Sequence, residues 1–421
     1  MASELTSLNT RLEHVLGTLK SEAGALPDPE LRRLANQSID LLHQIEQMLE
    51  PGYLVLADHF LGYVHAKCLV AAVDFSIADT LEKSGPMTID SLAKACSARG
   101  DRLAQVLRVF ISNGVFALDE TTKKYTNNST SKLLLTNHWT QWHRWATLYG
   151  NQFYDMARGI PSSLQKDAIR SAAQINYDTD LNMFEYFRAR EWVPQLHATL
   201  GAGAAAQAPG ILADYPWSDL AGETIIDIGG GGGGFMAMLL RAHQSFKGGI
   251  FDLPHVIEYA KPMFHSPDGQ FADVAAQIPV DNLIGGDFFE KKAIVPGDQS
   301  KLIILEEMLD TTRSARLSRY GDMNMMIAAN GVERTRDEWM ALADRAGWVI
   351  TNIYPLRNAW HCAFDLVPKI YNSSTNNSYT TPYSQQQITS FLYYQSLFIA
   401  TPKKSSIVYS TVARFAKKCQ R

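Results

Sequence analysis

The stretch that most restricts the fold is Thr224-Ile225-Ile226-Asp227-Ile228, followed by six consecutive glycines, Gly229 to Gly234. A five-residue run rich in β-branched side chains reads as a short buried strand. Glycine then lets the chain turn sharply and brings bare backbone close to a ligand. An apolar helix follows, Phe235-Met236-Ala237-Met238-Leu239-Leu240, and then a second strand, Gly249-Ile250-Phe251-Asp252-Leu253. Strand, glycine turn, helix and a strand ending in an acid make a nucleotide-cofactor unit of a doubly wound α/β sheet. Asp252 lies 23 residues after Gly229, near the spacing of about 20 at which an acid reaches both ribose hydroxyls. The glycine run alone carries little; the order of elements around it carries the reading.

Upstream of this unit the pattern is helical. In residues 1–52, leucines recur at three- and four-residue steps, from Leu5 to Leu19 and from Leu31 to Leu49, until Pro51-Gly52 stops them. Two amphipathic helices with an unmet apolar face point to a dimer interface. Residues 53–135 resemble a winged helix-turn-helix. A long apolar helix is expected from Leu54 to Leu81, a second opening at Thr88 with Asp90 as N-cap, and a third from Asp101 to Asn113-Gly114. Val115 to Leu118 and Lys124 to Thr126 then form a two-stranded wing. The third helix carries Arg102 and Arg108 but no basic stripe, so dimerisation is expected of this domain and DNA binding is not. Residues 136–215 are helical and aromatic (Trp139, Trp142, Trp145, Tyr149, Phe153, Tyr154, Phe184, Tyr186, Phe187, Trp192). Part of that set is expected to line an apolar acceptor pocket.

The chain has 421 residues with 39 Lys and Arg against 43 Asp and Glu, a net charge of −4. Such a balance gives no global attraction to nucleic acid. Four scattered cysteines make no C-x-x-C pair, so neither a disulfide framework nor a zinc site is expected. No run of 18 apolar residues and no signal-type leader is visible. A cytoplasmic protein free of membranes and metals is the expectation.

Asp227 before the glycines, Asp252-Leu253-Pro254-His255-Val256, Gly286-Asp287-Phe288-Phe289, Arg319-Tyr320-Gly321-Asp322-Met323-Asn324-Met325-Met326, Gly331-Val332-Glu333-Arg334-Thr335 and Tyr354 to Trp360 can be taken together. With these motifs, residues 5–368 resemble the class I S-adenosylmethionine-dependent O-methyltransferases. The match is to the plant caffeate/flavonoid type and its fungal relatives in secondary metabolism. The resemblance implies a Rossmann-like methyltransferase domain over residues 216–368, behind a helical, winged-helix dimerisation domain. It implies S-adenosylmethionine as cofactor, a small aromatic or polyketide-like hydroxyl acceptor, and a homodimer. Gly229, Gly230 and Gly231 are then expected at the methionine part, Asp252 on the ribose, and Asp287 and Phe288 at the adenine. Glu306, ending Leu302-Ile303-Ile304-Leu305-Glu306, and Glu333 match the two glutamates that brace a catalytic histidine in that family.

The histidine itself is missing. Between Glu290 and Lys301 stand ten residues, where the family places a strand, the His-Asp segment and a helix; Lys292 to Gly297 resembles the end of that helix. The strand so lost would lie beside the glycine-turn strand, in the middle of the sheet. The expectation is that the LIILE strand slides into its place or the domain folds poorly. Residues 369–421 are a basic, polar tail without Asp or Glu, foreign to the family. A missing block and a foreign tail together are what a mispredicted splice pattern produces. His143, His197 and His361 are candidates to replace the base, with His143 foremost, while His255 is expected to cap or pack. Neither glutamate is expected to serve alone, because a carboxylate of ordinary pKa, about 4.3, is a poor base for a phenol or alcohol. Methyl transfer is therefore expected to be impaired. Two alternatives stand beside it: a cofactor-binding protein catalysing a pericyclic or dehydrative step without methyl transfer, and a non-catalytic dimerisation partner.

Overall fold

The computed structural model describes residues 2–18, 26–287 and 301–369, together with the backbone of residues 396–401. Phe288, the Lys292–Gly297 run and most of the tail lie outside the described residues.

Two helices, Ala2–Thr18 and Pro29–Leu49, open the chain. The second is started by Asp28, whose carboxylate accepts the N–H groups of Glu30 (2.9 Å) and Leu31 (3.2 Å), with Pro29 in the first turn. Neither helix buries a residue within the monomer. The expected Leu54–Leu81 helix is instead three, Gly52–Leu61, Tyr63–Asp74 and Ile77–Ser84. The first break falls at Gly62; the second at Phe75-Ser76, where Ser76 takes a left-handed φ of 49°. Thr88, rather than Asp90, caps the next helix, Ile89–Ala95, by accepting from Ser91 N–H at 3.5 Å. Asp90 lies in its first turn, where a carboxylate still favours the helix N-terminus. The third helix is Gly100–Ser112, followed by Gly114 at φ 69°. Strands β1 (Phe116–Asp119) and β2 (Lys124–Asn127) pair antiparallel as the wing. Among the described residues no single helix is long and apolar enough to cross a membrane; Gly52–Leu61 and Tyr63–Asp74 reach that composition only as a pair bent by 42°.

The second sheet is built from β3 (Thr224–Ile228), β4 (Lys247–Asp252), β5 (Leu283–Gly285), β6 (Lys301–Glu306), β7 (Trp348–Pro355), β8 (Cys362–Pro368) and β9 (Ser396–Thr401), in the order β5-β4-β3-β9-β6-β8-β7. β3, β4 and β5 are parallel. β9 runs antiparallel to both β3 and β6, so β6 is parallel to β3. Both faces are covered, which is why β6 reads as an unbroken apolar run. Ile303 and Leu305 join one core with Ile225, Leu239 and Ile250; Leu302 and Ile304 join the other with Ile226, Phe251, Trp339 and Phe364.

The gap beside the glycine-turn strand is therefore neither closed by β6 nor left open. A six-residue piece of the tail occupies it, registered on Thr224 to Ile228 on one flank and Lys301 to Leu305 on the other. Central strands leave no backbone donor or acceptor to water, so a vacancy there is filled by whatever extended segment can reach it.

Candidate functional site

Because β3, β4, β5 and β6 run parallel, their C-terminal ends form one rim, the place where ligands bind in open α/β sheets. The glycine turn leaves β3 there, with Gly229, Gly231 and Gly233 at φ 78°, 55° and 83°. The Gly229 N–H donates to Phe251 O at 2.8 Å, which pins the start of the turn to β4. A methyl group added at Gly231 would meet nothing within 4 Å, so the turn borders open space.

Asp252 ties the rim together. Its carboxylate accepts from Gly231 N–H (2.9 Å) and Leu253 N–H (2.7 Å), and its carbonyl accepts from Gly286 N–H (2.9 Å). Three chain segments, including the one carrying half-buried Asp287, thereby converge on one residue. Below the turn lies Asp227, 1% exposed, with Oδ1 unpartnered among the described residues. Burial, and then the nearby Asp252 carboxylate, push its pKa up to about 8. A protonated acid thus underlies the turn at neutral pH. The open space at Gly231, bordered by the Asp252 carboxylate, fits a ligand that carries hydroxyls.

Two strand places away, Glu306 ends β6 at 3% exposure and Glu307 follows at 6%. Glu306 Oε1 accepts from Glu307 N–H at 2.9 Å, while Oε2 of each glutamate has no partner among the described residues. Met308 bridges to Arg334, and Leu309 N–H donates to Arg334 O at 2.8 Å. That pairing draws Glu333 alongside. Its own N–H is held by Asp322 Oδ1 at 2.8 Å. The structure thus brings Glu306 and Glu333 together and adds Glu307, which the sequence reading passed over although the adjacent acid pair was visible. Desolvation, with Glu333 beside it, pushes Glu307 up to about 8, and desolvation raises Glu333 to about 7. Glu306 is held well above the carboxylate range by burial and by Glu333. The expectation of ordinary carboxylates is corrected by this burial.

The candidate histidines do not join them equally. His143 lies near Asp79, Arg144 and the Leu135 backbone, on the winged-helix side; His197 is exposed on helix Val193–Asp214. His361 directly precedes Cys362, the register partner of Glu306, and desolvation lowers its pKa to about 4. Its neighbour Trp360 closes an aromatic wall: Trp360 lies 4.8 Å from Trp145 and 5.7 Å from Trp142, and Trp145 stacks on Tyr149 at 5.4 Å. Phe184, Tyr186 and Phe187 instead fill a separate core, and Trp139 is exposed. Among the described residues no group of three or more His, Cys, Asp or Glu is placed to hold a metal. A cleft of about 400 Å³ at Leu240, Arg241, Gln244 and Asp273 lies at the far end of helix Gly234–Ala242, away from this rim.

A family model for the O-methyltransferase dimerisation domain matches residues 57–137. One for the O-methyltransferase domain matches residues 217–298 and 291–349, two pieces that meet where the sequence lacks its block. The chain is 46% identical over 416 residues to the O-methyltransferase aclM of Aspergillus oryzae, covering 89% of this chain and 96% of that one. It is 41% identical over 406 residues to the O-methyltransferase verK of Clonostachys rogersoniana, covering 87% and 100%. The solved structure of CalO1, a methyltransferase in calicheamicin biosynthesis in its SAH-bound form, superposes with a TM-score of 0.64 at 22% identity, over 75% of this chain and 98% of that chain.

Proposed function

The chain belongs to the O-methyltransferase family, and from that membership we propose that it binds S-adenosylmethionine at the β3–β4 rim and methylates a hydroxyl of a small secondary metabolite. The observation that carries this reading is Asp252, which sits at the end of β4 and is tied to the glycine turn through Gly231. When bound, the cofactor supplies a methyl group on a sulfonium. Asp252 would hold its ribose, Gly229 to Gly231 its methionine part, and Asp287 its adenine; Phe288 is assigned to the adenine from the sequence. Trp142, Trp145 and Trp360 offer flat apolar faces to an aromatic acceptor. Glu306 and Glu333 are proposed at the reacting end.

A homodimer through the N-terminal region follows from the same membership. Its support is the apolar face of Tyr53, Leu56, Phe60 and Tyr63, exposed in the monomer beside the matched dimerisation domain. The test is transfer of labelled methyl from S-adenosylmethionine to a panel of phenols, with formation of S-adenosylhomocysteine measured in parallel. Methyl ether and S-adenosylhomocysteine in equal amounts are expected. Isomerised or dehydrated product without S-adenosylhomocysteine would refute the reading.

A further inference from the structure

Three carboxyl groups crowd the end of β6 with little to neutralise them. Glu306 and Glu307 are more than nine-tenths buried, and each directs one oxygen at no partner among the described residues. Glu307 packs so closely on helix Arg316–Ala329 that a side chain at Gly321 would collide with its carboxylate. On the other side its carbonyl accepts the Trp339 indole N–H at 3.2 Å. The charged and titratable groups around the cluster are Asp322 on that helix, Arg334 beside Glu333, Asp310 in the loop after β6 and Cys362 at the start of β8. Among the described residues Arg334 is the cation acting on the cluster, and it also lies over the Trp339 ring at 5.7 Å. Two buried carboxylates and a half-buried one, facing one guanidinium, do not all ionise, so protons stay in the cluster at neutral pH.

We propose that Glu306, Glu307 and Glu333 act as one proton-accepting unit for the hydroxyl being methylated. This rests on the proposed function above. The rim geometry supports it: Glu306 ends a strand two places from β3, about 10 Å away at ordinary strand spacing. In the step, the hydroxyl O–H bond breaks and its proton bonds to a carboxylate oxygen. The electron pair stays on the acceptor oxygen and forms the new O–CH3 bond. The carboxylate charge lost matches the positive charge that methyl donation removes, and the proton later passes to water. A carboxylate serves here because burial and like-charge crowding bring its proton affinity close to that of imidazole. His361, the nearest rival by register, is shifted the other way and binds a proton weakly.

The cluster can be tested with or without turnover. In the full chain labelled with carboxyl-13C glutamate, NMR titration is expected to show side chains with midpoints near pH 7–8. Glu307→Gln should move the remaining midpoints down, because a like charge is removed. Titration of every glutamate below about pH 6 would overturn the proposal. With labelled S-adenosylmethionine and phenols, Glu333→Gln is expected to lower methyl transfer about 100-fold and to leave cofactor affinity within twofold, while His143→Asn leaves transfer unchanged. Full transfer by the glutamate variants, or loss of transfer in His361→Asn alone, would also overturn it. The two failures are distinguishable: a chain that does not bind S-adenosylmethionine removes the proposed function and this role with it, whereas a chain that binds the cofactor but titrates every glutamate below about pH 6 removes this role alone.

Discussion

Ending the chain after Lys369 removes β9 and nothing else that the structure describes. Five residues of β3 and five of β6 are registered on that strand. In antiparallel pairing about half of their backbone N–H and C=O groups point at it, so roughly five groups on each flank lose their partners. Ile225, Ile226, Ile228 and Leu302 to Leu305 are each 2% exposed or less, so water does not readily replace them. At roughly 1–3 kcal/mol for each buried unpaired group, the loss is on the order of 10–30 kcal/mol, above the 5–15 kcal/mol that stabilises a typical domain. The rim that carries Asp252 and Glu306 therefore does not persist with an open slot. Residues 1–369 are expected to lose cofactor binding and the cooperative melting of the sheet domain, while the winged-helix core around Leu92, Leu107 and Phe110 keeps its own transition. Calorimetric melting and S-adenosylmethionine titration of the two chains read this directly. A truncated chain that melts and binds like the full one would show that β9 is dispensable and that the strand-for-strand reasoning is wrong.

Other outcomes follow from single residues. Asp227 is protonated in the folded state up to about pH 8 and ionises near pH 4 when unfolded. The folded chain therefore binds more protons between those values, and stability falls as pH rises through that window. Asp227→Asn should melt higher than the parent at pH 7.5 and converge with it below pH 4; parallel melting curves would refute the buried neutral acid. Gly233→Ala places a methyl group 2.5 Å from Phe264 at a left-handed φ of 83°; about 2–5 kcal/mol of destabilisation is expected in urea unfolding, and a loss below 1 kcal/mol would contradict the packing. Leu56→Asp with Phe60→Asp should sediment as a monomer at concentrations where the parent is a dimer, and unchanged sedimentation would place the interface elsewhere.

What could be read from the sequence was local in character. Thr224 to Asp252 declares itself because the strand, turn, helix and acid are contiguous, and each has its own composition signal. The wing and the Gly114 stop are legible for the same reason. The helix breaks at Gly62 and Phe75-Ser76 were not, since the apolar pattern continues through them and packing decides where the chain bends. Ser396 to Thr401 is a short apolar run inside a polar tail, and nothing near it says that it pairs with Thr224 to Ile228, far earlier in the chain. Its place is set by a vacancy between β3 and β6 that exists only in three dimensions. Glu306 and Glu333 were found by their motifs, but the shift in their acidity was not. That shift arises from burial, with Glu333 raising Glu306 and Asp322 raising Glu333, and the two glutamates meet only once Arg334 pairs with the exit of β6.

The central claim is that a cofactor site forms at the glycine turn and Asp252 even though the block between Glu290 and Lys301 is short. Isothermal titration of the 421-residue chain with S-adenosylmethionine tests it most directly. Micromolar binding at one site per chain, abolished by Asp252→Ala in a protein that still melts cooperatively, is the predicted result. No heat of binding from the folded full-length chain would contradict the account.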